Sequence, residues 1–304
     1  MFYNGRMRAE YREEACRSAL NRVKGMPFAW SLNPYTGCVH RCTFCYVRAF
    51  ELRADRPADD RYGRSIRVKV NVAEVLAREL ARPSWQGEQI AIGAATDPYQ
   101  PAEGRYRLTR ACIEVLARAR SPFGIITRGP LIVRDVDVLA EASRRTEVSV
   151  MFSVPTIDPV VWRTTEPGTA PPRQRLRALS KLVGAGIKAS VGMAPILPGL
   201  SDRPEQLAEV VKAVRAAGAT SVWANLLYLK PGTKEHFLEA LARDWPEELE
   251  RYEQLYARRA YLPSTEVDPV RHQVRSLARE HGVRDRRKQP LTPPPEPLQL
   301  TLGV

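Results

Sequence analysis

The chain has 304 residues, 44% hydrophobic and 27% charged, which is apolar material enough for a large buried core in one α/β unit with an extension. It holds no run of the roughly 20 apolar residues a membrane helix needs, and its N-terminus, MFYNGRMRAEYREEACR, is too charged for a secretory leader, so a cytoplasmic location is expected. Lys and Arg outnumber Asp and Glu 47 to 34, a net charge of +13 that favours polyanionic partners such as nucleic acid, although arginine-rich chains without that role reach the same balance.

Residues 8–24 are predicted as an amphipathic helix with Ala15, Leu20 and Val23 on one side, giving a helical N-terminal segment over 1–25. A first strand at about 28–33 leads through Pro34-Tyr35-Thr36-Gly37 into a group of cysteines. Strand-like segments then follow at 89–95, 123–127, 148–154, 187–194 and 221–228. Helical spacing marks 72–81, 108–119, 136–145, 173–186 and 204–218, with Gly186 and Gly218 placed as C-caps. The strands are short, β-branched and apolar on both faces, as strands of a covered parallel sheet are. Six of them with right-handed crossovers predict an α/β fold, a full or partial (β/α)6 TIM-type barrel over 26–235. Beyond it, a long helical region at about 234–262 and a helix at about 267–281 make a C-terminal helical extension over 236–285. The Pro-rich stretch 286–304 reads as an extended or disordered tail.

Chemistry in such barrels sits at the C-terminal ends of the strands. The polar residues there are Asn33 and Tyr35, then Thr96 and Asp97, then Thr127 and Arg128, then Ser153 and Asn225. Cys38, Cys42 and Cys45 follow the first strand and fall on the same rim. Three of five cysteines within eight residues do not form a disulfide framework, and in a reducing compartment they point to metal. Three thiolates spaced C-x3-C-x2-C can hold three irons of a cubane and leave the fourth open, whereas electron-transfer clusters use four cysteines. The competing reading is structural zinc, which wants four ligands; His40 could be the fourth, crowded into the same turn of loop. Cys16 and Cys112, in predicted helices, read as ordinary buried residues.

The motif resembles that of the radical S-adenosylmethionine enzymes, C-x3-C-x-aromatic-C, with Phe44 in the aromatic position. The resemblance implies one 4Fe–4S cluster on Cys38, Cys42 and Cys45, with S-adenosylmethionine chelated to the open iron by its amino and carboxylate groups. It further implies reductive cleavage to a 5′-deoxyadenosyl radical, driven by a flavodoxin- or ferredoxin-type reductant. Over about residues 26–235 the sequence is similar to the spore photoproduct lyase-like, DNA repair-like branch. The matching text is Asn33-Pro34-Tyr35-Thr36-Gly37-Cys38, Cys45-Tyr46, Ala95-Thr96-Asp97-Pro98-Tyr99-Gln100-Pro101, Thr127-Arg128 and Arg134-Asp135.

By position, that likeness implies cofactor contacts from Phe44, from Thr96 and Asp97 to the amino group, from Arg128 to the carboxylate, and from Ser153 to ribose or carboxylate. Arg173 or Arg175, after Glu166-Pro167, is a second carboxylate candidate, and Tyr46 and Tyr99 are the catalytic candidates. The structural alternatives are a turn or helix cap for Thr96 and Asp97, a surface role for Arg128 and a core hydroxyl for Ser153. The branch's hydrogen-donating cysteine is replaced by Ala94 or Ala95, and its tyrosine before the third cluster cysteine by Phe44. Spore photoproduct repair by that route is therefore not expected, and nucleic acid is the leading substrate class. Trp245, Tyr252 and Tyr256 read as packing, and Arg284, Arg286, Arg287 and Lys288 as phosphate contacts or a solvated tail. The alternative overall reading is a non-catalytic zinc- or iron–sulfur-containing nucleic-acid-binding protein.

Overall fold

Segments such as Ile90-Ala91-Ile92 and Phe123–Thr127 carry no charge and bury most of their side chains, so their backbone groups must pair with other strands rather than with water. The computed structural model, which describes residues 9–294, pairs them in a seven-stranded sheet. Its strands are β1 (Glu10–Glu14), β2 (Leu20–Arg22), β3 (Trp30–Leu32), β4 (Tyr35–Thr36), β5 (Ser65–Lys69), β6 (Ile90–Ile92), β7 (Phe123–Thr127), β8 (Val148–Ser153), β9 (Ala189–Ile196) and β10 (Val222–Leu226). The large sheet has the order β10-β9-β8-β7-β6-β3-β2, all parallel except β2, which runs antiparallel to β3. Because β10 and β2 end the sheet without pairing, the barrel is partial. A small second sheet, β1-β5-β4, carries the chain from β3 toward the cysteines.

Helices α1 (Arg48–Arg53), α2 (Val72–Leu80), α3 (Ala102–Tyr106), α4 (Leu108–Arg118), α5 (Val136–Ser143), α6 (Pro159–Thr165), α7 (Pro172–Gly184) and α8 (Pro204–Ala216) fill the crossovers. Each longer one turns an apolar stripe onto the sheet: Val75 and Leu76 from α2, Ile113 and Leu116 from α4, Leu179 and Leu182 from α7. They meet Leu32, Ile92, Phe123, Phe152 and Val191, all inaccessible to solvent. Each such side chain contributes roughly 1.5–3 kcal/mol by leaving water. The C-terminal part is α9 (Thr233–Asp244), α10 (Leu249–Leu255) and α11 (Ser264–Glu280), the last packed on β10.

Three expectations are corrected. Residues 10–22 form strands, not a helix, because Glu10–Glu14 pairs in parallel with Ser65–Lys69 and Leu20–Arg22 with Trp30–Leu32. Cys16 lies in the loop between them, its N–H on Asn71 Oδ1 at 2.8 Å. The long helix at 234–262 is broken at Trp245, whose φ of −146° and ψ of 67° precede Pro246, a residue that cannot continue the ladder. Residues 286–294 are not a free tail: Leu291 N–H and Arg287 Nη1 both donate to Gly186 O, at 3.0 and 2.8 Å. Arg287 also pairs with Asp285, which withdraws it from phosphate binding, and 295–304 lie outside the described residues. Tyr252 and Tyr256 are packing residues, their hydroxyls on Pro198 O and Leu227 O.

One buried carboxylate ties the small sheet to the helices beside it. Glu103 is inaccessible and accepts from Tyr35 Oη at 2.5 Å, Arg134 Nη2 at 2.8 Å and the Thr109 N–H at 2.9 Å. Tyr35 belongs to β4, so this bond anchors the approach to the cysteines. Glu103→Ala is expected to cost roughly 1–3 kcal/mol, since it leaves the Tyr35 hydroxyl and the Thr109 N–H without their acceptor while Arg134 keeps Asp135. Urea unfolding measures it; a loss under about 1 kcal/mol would mean the network is peripheral.

Candidate active site

Beyond β3, Asn33 accepts the Ala95 N–H at 2.8 Å and holds the ends of the first two parallel strands together. The chain turns at Gly37, where φ is +87°, and enters a loop of tight turns: Arg41 N–H to Cys38 O, Cys45 N–H to Cys42 O, Arg48 N–H to Cys45 O. The segment after β6 clasps this loop. Thr96 Oγ1 donates to Gly37 O at 2.6 Å, Gln100 Nε2 donates to the same oxygen at 3.1 Å, and Gln100 Oε1 accepts the Val39 N–H at 3.1 Å. Cys38 is thus gripped by its two backbone neighbours.

Asp97 completes the clasp. Oδ1 accepts from Thr127 Oγ1 at 2.7 Å and the Tyr99 N–H at 2.9 Å, while Oδ2 accepts the Arg128 N–H at 2.7 Å and faces His40 Nδ1 at 3.3 Å. Burial alone would raise its pKa, but His40 and these donors outweigh burial and hold it at about 2. Burial alone would lower His40, yet the Cys38 and Asp97 charges push it up to about 10. Thr96 and Asp97 therefore spend their polar atoms on protein partners. In these positions the two side chains hold the cysteine loop and the start of the Arg128 segment.

The opposite side of the loop rests on residues 165–168. Thr43 N–H donates to Thr165 O at 2.9 Å and Gly168 N–H to His40 O at 3.0 Å. A Cβ at Gly168 would lie 2.3 Å from Val39 O, so only glycine permits this approach. Cys38 and Cys42 are buried and Cys45 half-buried, with its Sγ 3.6 Å from Tyr62 Oη. Burial pushes the Cys42 and Cys45 thiols up, against nearby Arg128 and Arg48. Among the described residues no three Cys, His, Asp or Glu side chains close around a single ion, the geometry zinc requires. A multinuclear cluster seats each thiolate on a different iron and spreads its ligands more widely. Two buried thiols and one half-buried, with only His40 near Cys38 and Tyr62 near Cys45 as side-chain partners, fit such a cluster.

Beside Cys42 lies a cluster of charges centred on Glu166, which the sequence does not single out. Arg128 Nε and Arg175 Nη1 both donate to Glu166 Oε2, at 2.9 and 2.8 Å, while Glu166 Oε1 has no partner. The Arg128 guanidinium sits 5.7 Å from the Phe44 ring centroid. Arg175 also donates to Ser153 O at 2.9 Å, and Ser153 Oγ to Ala194 O at 3.0 Å. Phe44, Arg128, Ser153 and Arg175 are thus brought together around Glu166. The available signal was Glu166 just before the glycine that touches the loop. Arg173 is not part of this group; it is exposed on α7 with no hydrogen bond or ion pair among the described residues, because helical spacing turns Arg175 inward and Arg173 out.

The tyrosines divide. Tyr46 donates to Ala94 O at the end of the second parallel strand and stands 6.0 Å from Tyr228. Tyr99 is buried beside Asp135, Glu103 and Arg134. Gly168→Ala is expected to displace the loop and leave well under half of the wild-type iron and sulfide after anaerobic reconstitution, with far-ultraviolet circular dichroism unchanged. Full iron loading of that variant would refute the contact's importance.

A family model described as the Radical SAM superfamily matches residues 32–211. An uncharacterized protein of Mycobacterium tuberculosis is 38% identical over 299 residues, covering 96% of this chain and 88% of that protein. One from Acidianus two-tailed virus is 28% identical over 230 residues, 72% of this chain and 73% of the other. Among solved structures, spore photoproduct lyase complexed with dinucleoside spore photoproduct has a TM-score of 0.69 at 16% identity, covering 89% of this chain and 79% of that one. A mutant of that lyase with bound AdoMet and the dinucleoside gives 0.68 at 17% with the same coverage, a likeness of fold. With more than half of its length matched, from β3 through most of α8, the chain belongs to the Radical SAM superfamily, enzymes that use a 4Fe–4S cluster and S-adenosylmethionine.

Proposed function

We propose that this radical enzyme acts on nucleic acid, with Cys38, Cys42 and Cys45 as the cluster ligands and Arg128 as the main anchor of S-adenosylmethionine. The observation that carries the assignment is the clasped loop of three thiols with a half-buried arginine, oriented by Glu166, beside Cys42. When bound, the cluster and S-adenosylmethionine supply a hydrogen-abstracting 5′-deoxyadenosyl radical.

The residues' own work follows from their partners. Glu166 and the Phe44 ring fix the plane of the Arg128 guanidinium, whose Nη1 makes no hydrogen bond and is free for a carboxylate. Glu166 Oε1, buried and unpaired, is an acceptor for the cofactor's amino group. Arg175 neutralises the carboxylate and ties it to the backbone of Ser153 at the end of β8. Phe44 supplies an apolar wall.

Tyr46 is the hydrogen-donor candidate, since its hydroxyl stands at the Ala94 carbonyl, where the lyase-like branch has its cysteine. Burial, then the Cys45 charge, pushes its pKa up to about 12, which keeps the O–H intact. Giving that hydrogen atom to a substrate radical would leave a tyrosyl radical, restored by one electron from a flavodoxin- or ferredoxin-type reductant and one proton. The net charge of +13 supports a polyanionic substrate.

The test is anaerobic reconstitution with iron and sulfide, followed by S-adenosylmethionine and dithionite. Wild type should release 5′-deoxyadenosine and the Cys38→Ala, Cys42→Ala, Cys45→Ala variant none. Arg128→Met should bind S-adenosylmethionine about tenfold or more weakly, the loss expected for a charged hydrogen bond. A colourless, zinc-loaded wild type that releases no 5′-deoxyadenosine would instead establish the non-catalytic nucleic-acid-binding reading.

A further inference from the structure

The last parallel strand, β10, ends one edge of the sheet, and the chain leaves it through Tyr228. Tyr228 bridges to Tyr261, in the segment between α10 and α11, and their rings are stacked 5.0 Å apart at 17°. On the inner side, Tyr46, next to a cluster cysteine, lies 6.0 Å from Tyr228 at 35°. Three tyrosine rings therefore run outward from the cluster loop. The outermost, Tyr261, is 55% exposed, a large apolar face left in water.

Its surroundings are cationic. Lys230 Nζ lies 5.5 Å from the Tyr261 centroid. Arg258 and Arg259, just before it in the chain, are exposed and make no ion pair or hydrogen bond among the described residues. Beside the stack is a cleft of about 310 Å³ between the end of β10 and the start of α11, where Arg271 Nη2 donates to Asn225 Oδ1 at 2.8 Å. Here an exposed tyrosine ring, stacked on Tyr228 and met by the flexible Lys230 side chain, lies with hydrogen-bonding groups and exposed arginines nearby in the chain.

We propose that this ladder is a subsite for single-stranded nucleic acid: an unpaired base stacks on Tyr261, and the flanking phosphates meet Lys230, Arg258 and Arg259. A π face with nearby cations matches a base and its phosphates together, and it tolerates any base. A duplex keeps its bases stacked on one another and offers no free face. The inference rests on the nucleic-acid reading above and adds where, and in what form, the strand is held.

The experiment is fluorescence anisotropy of a fluorescein-labelled oligothymidylate titrated with cluster-loaded protein, with a labelled duplex in parallel. Tyr261→Ala should weaken single-strand binding roughly 5- to 150-fold, as loss of one stacked base does. Tyr261→Trp should retain it, and duplex binding should respond to neither. Arg258→Gln with Arg259→Gln should lower the salt slope by about 1.4, at about 0.7 per phosphate on a single strand. If wild type binds oligothymidylate and Tyr261→Ala binds it equally, the subsite is wrong while the substrate class stands. If wild type binds neither probe, the nucleic-acid reading fails and takes the subsite with it.

Discussion

The site depends on one arrangement of buried hydrogen bonds, in which Thr96, Asp97 and Gln100 grip the backbone on either side of Cys38. A loop carrying three thiols in an apolar setting has many backbone groups to satisfy and few ways to do so without spending its sulfurs. Here Gly37 O and Val39 N–H are taken by the second strand's end, and His40 O by Gly168. The sulfurs are left over. Because Asp97 faces His40 of the loop and also holds Thr127 Oγ1 and the Arg128 N–H, the loop and Arg128 share a single anchor.

Much of the architecture was legible because the strands are buried on both faces and leave an unambiguous mark, continuous apolar runs between amphipathic helices. The N-terminal segment was misread for the converse reason. Glu10–Glu14 has sparse apolar residues, and its strand state comes from a ladder with Ser65–Lys69, more than fifty residues away. The break at Trp245-Pro246 was visible in the sequence, where the proline alone argued against one continuous helix.

Within the site, the cysteines and Arg128 could be found from spacing and strand position. What sequence could not separate was contact from support. Thr96 and Asp97 occupy the expected place, yet their oxygens face the protein, and Arg173 and Arg175 differ only in helical phase. Glu166 was overlooked because a lone acid before Pro-Gly looks like a turn. Its importance appears only when two arginines from different elements converge on one oxygen.

The clasp also bears on how the enzyme is assembled. The bonds that shape the cysteine loop come from separate stretches of chain, residues 96–100 on one side and 165–168 on the other, so the loop cannot take this form until the strands that carry those stretches are in place.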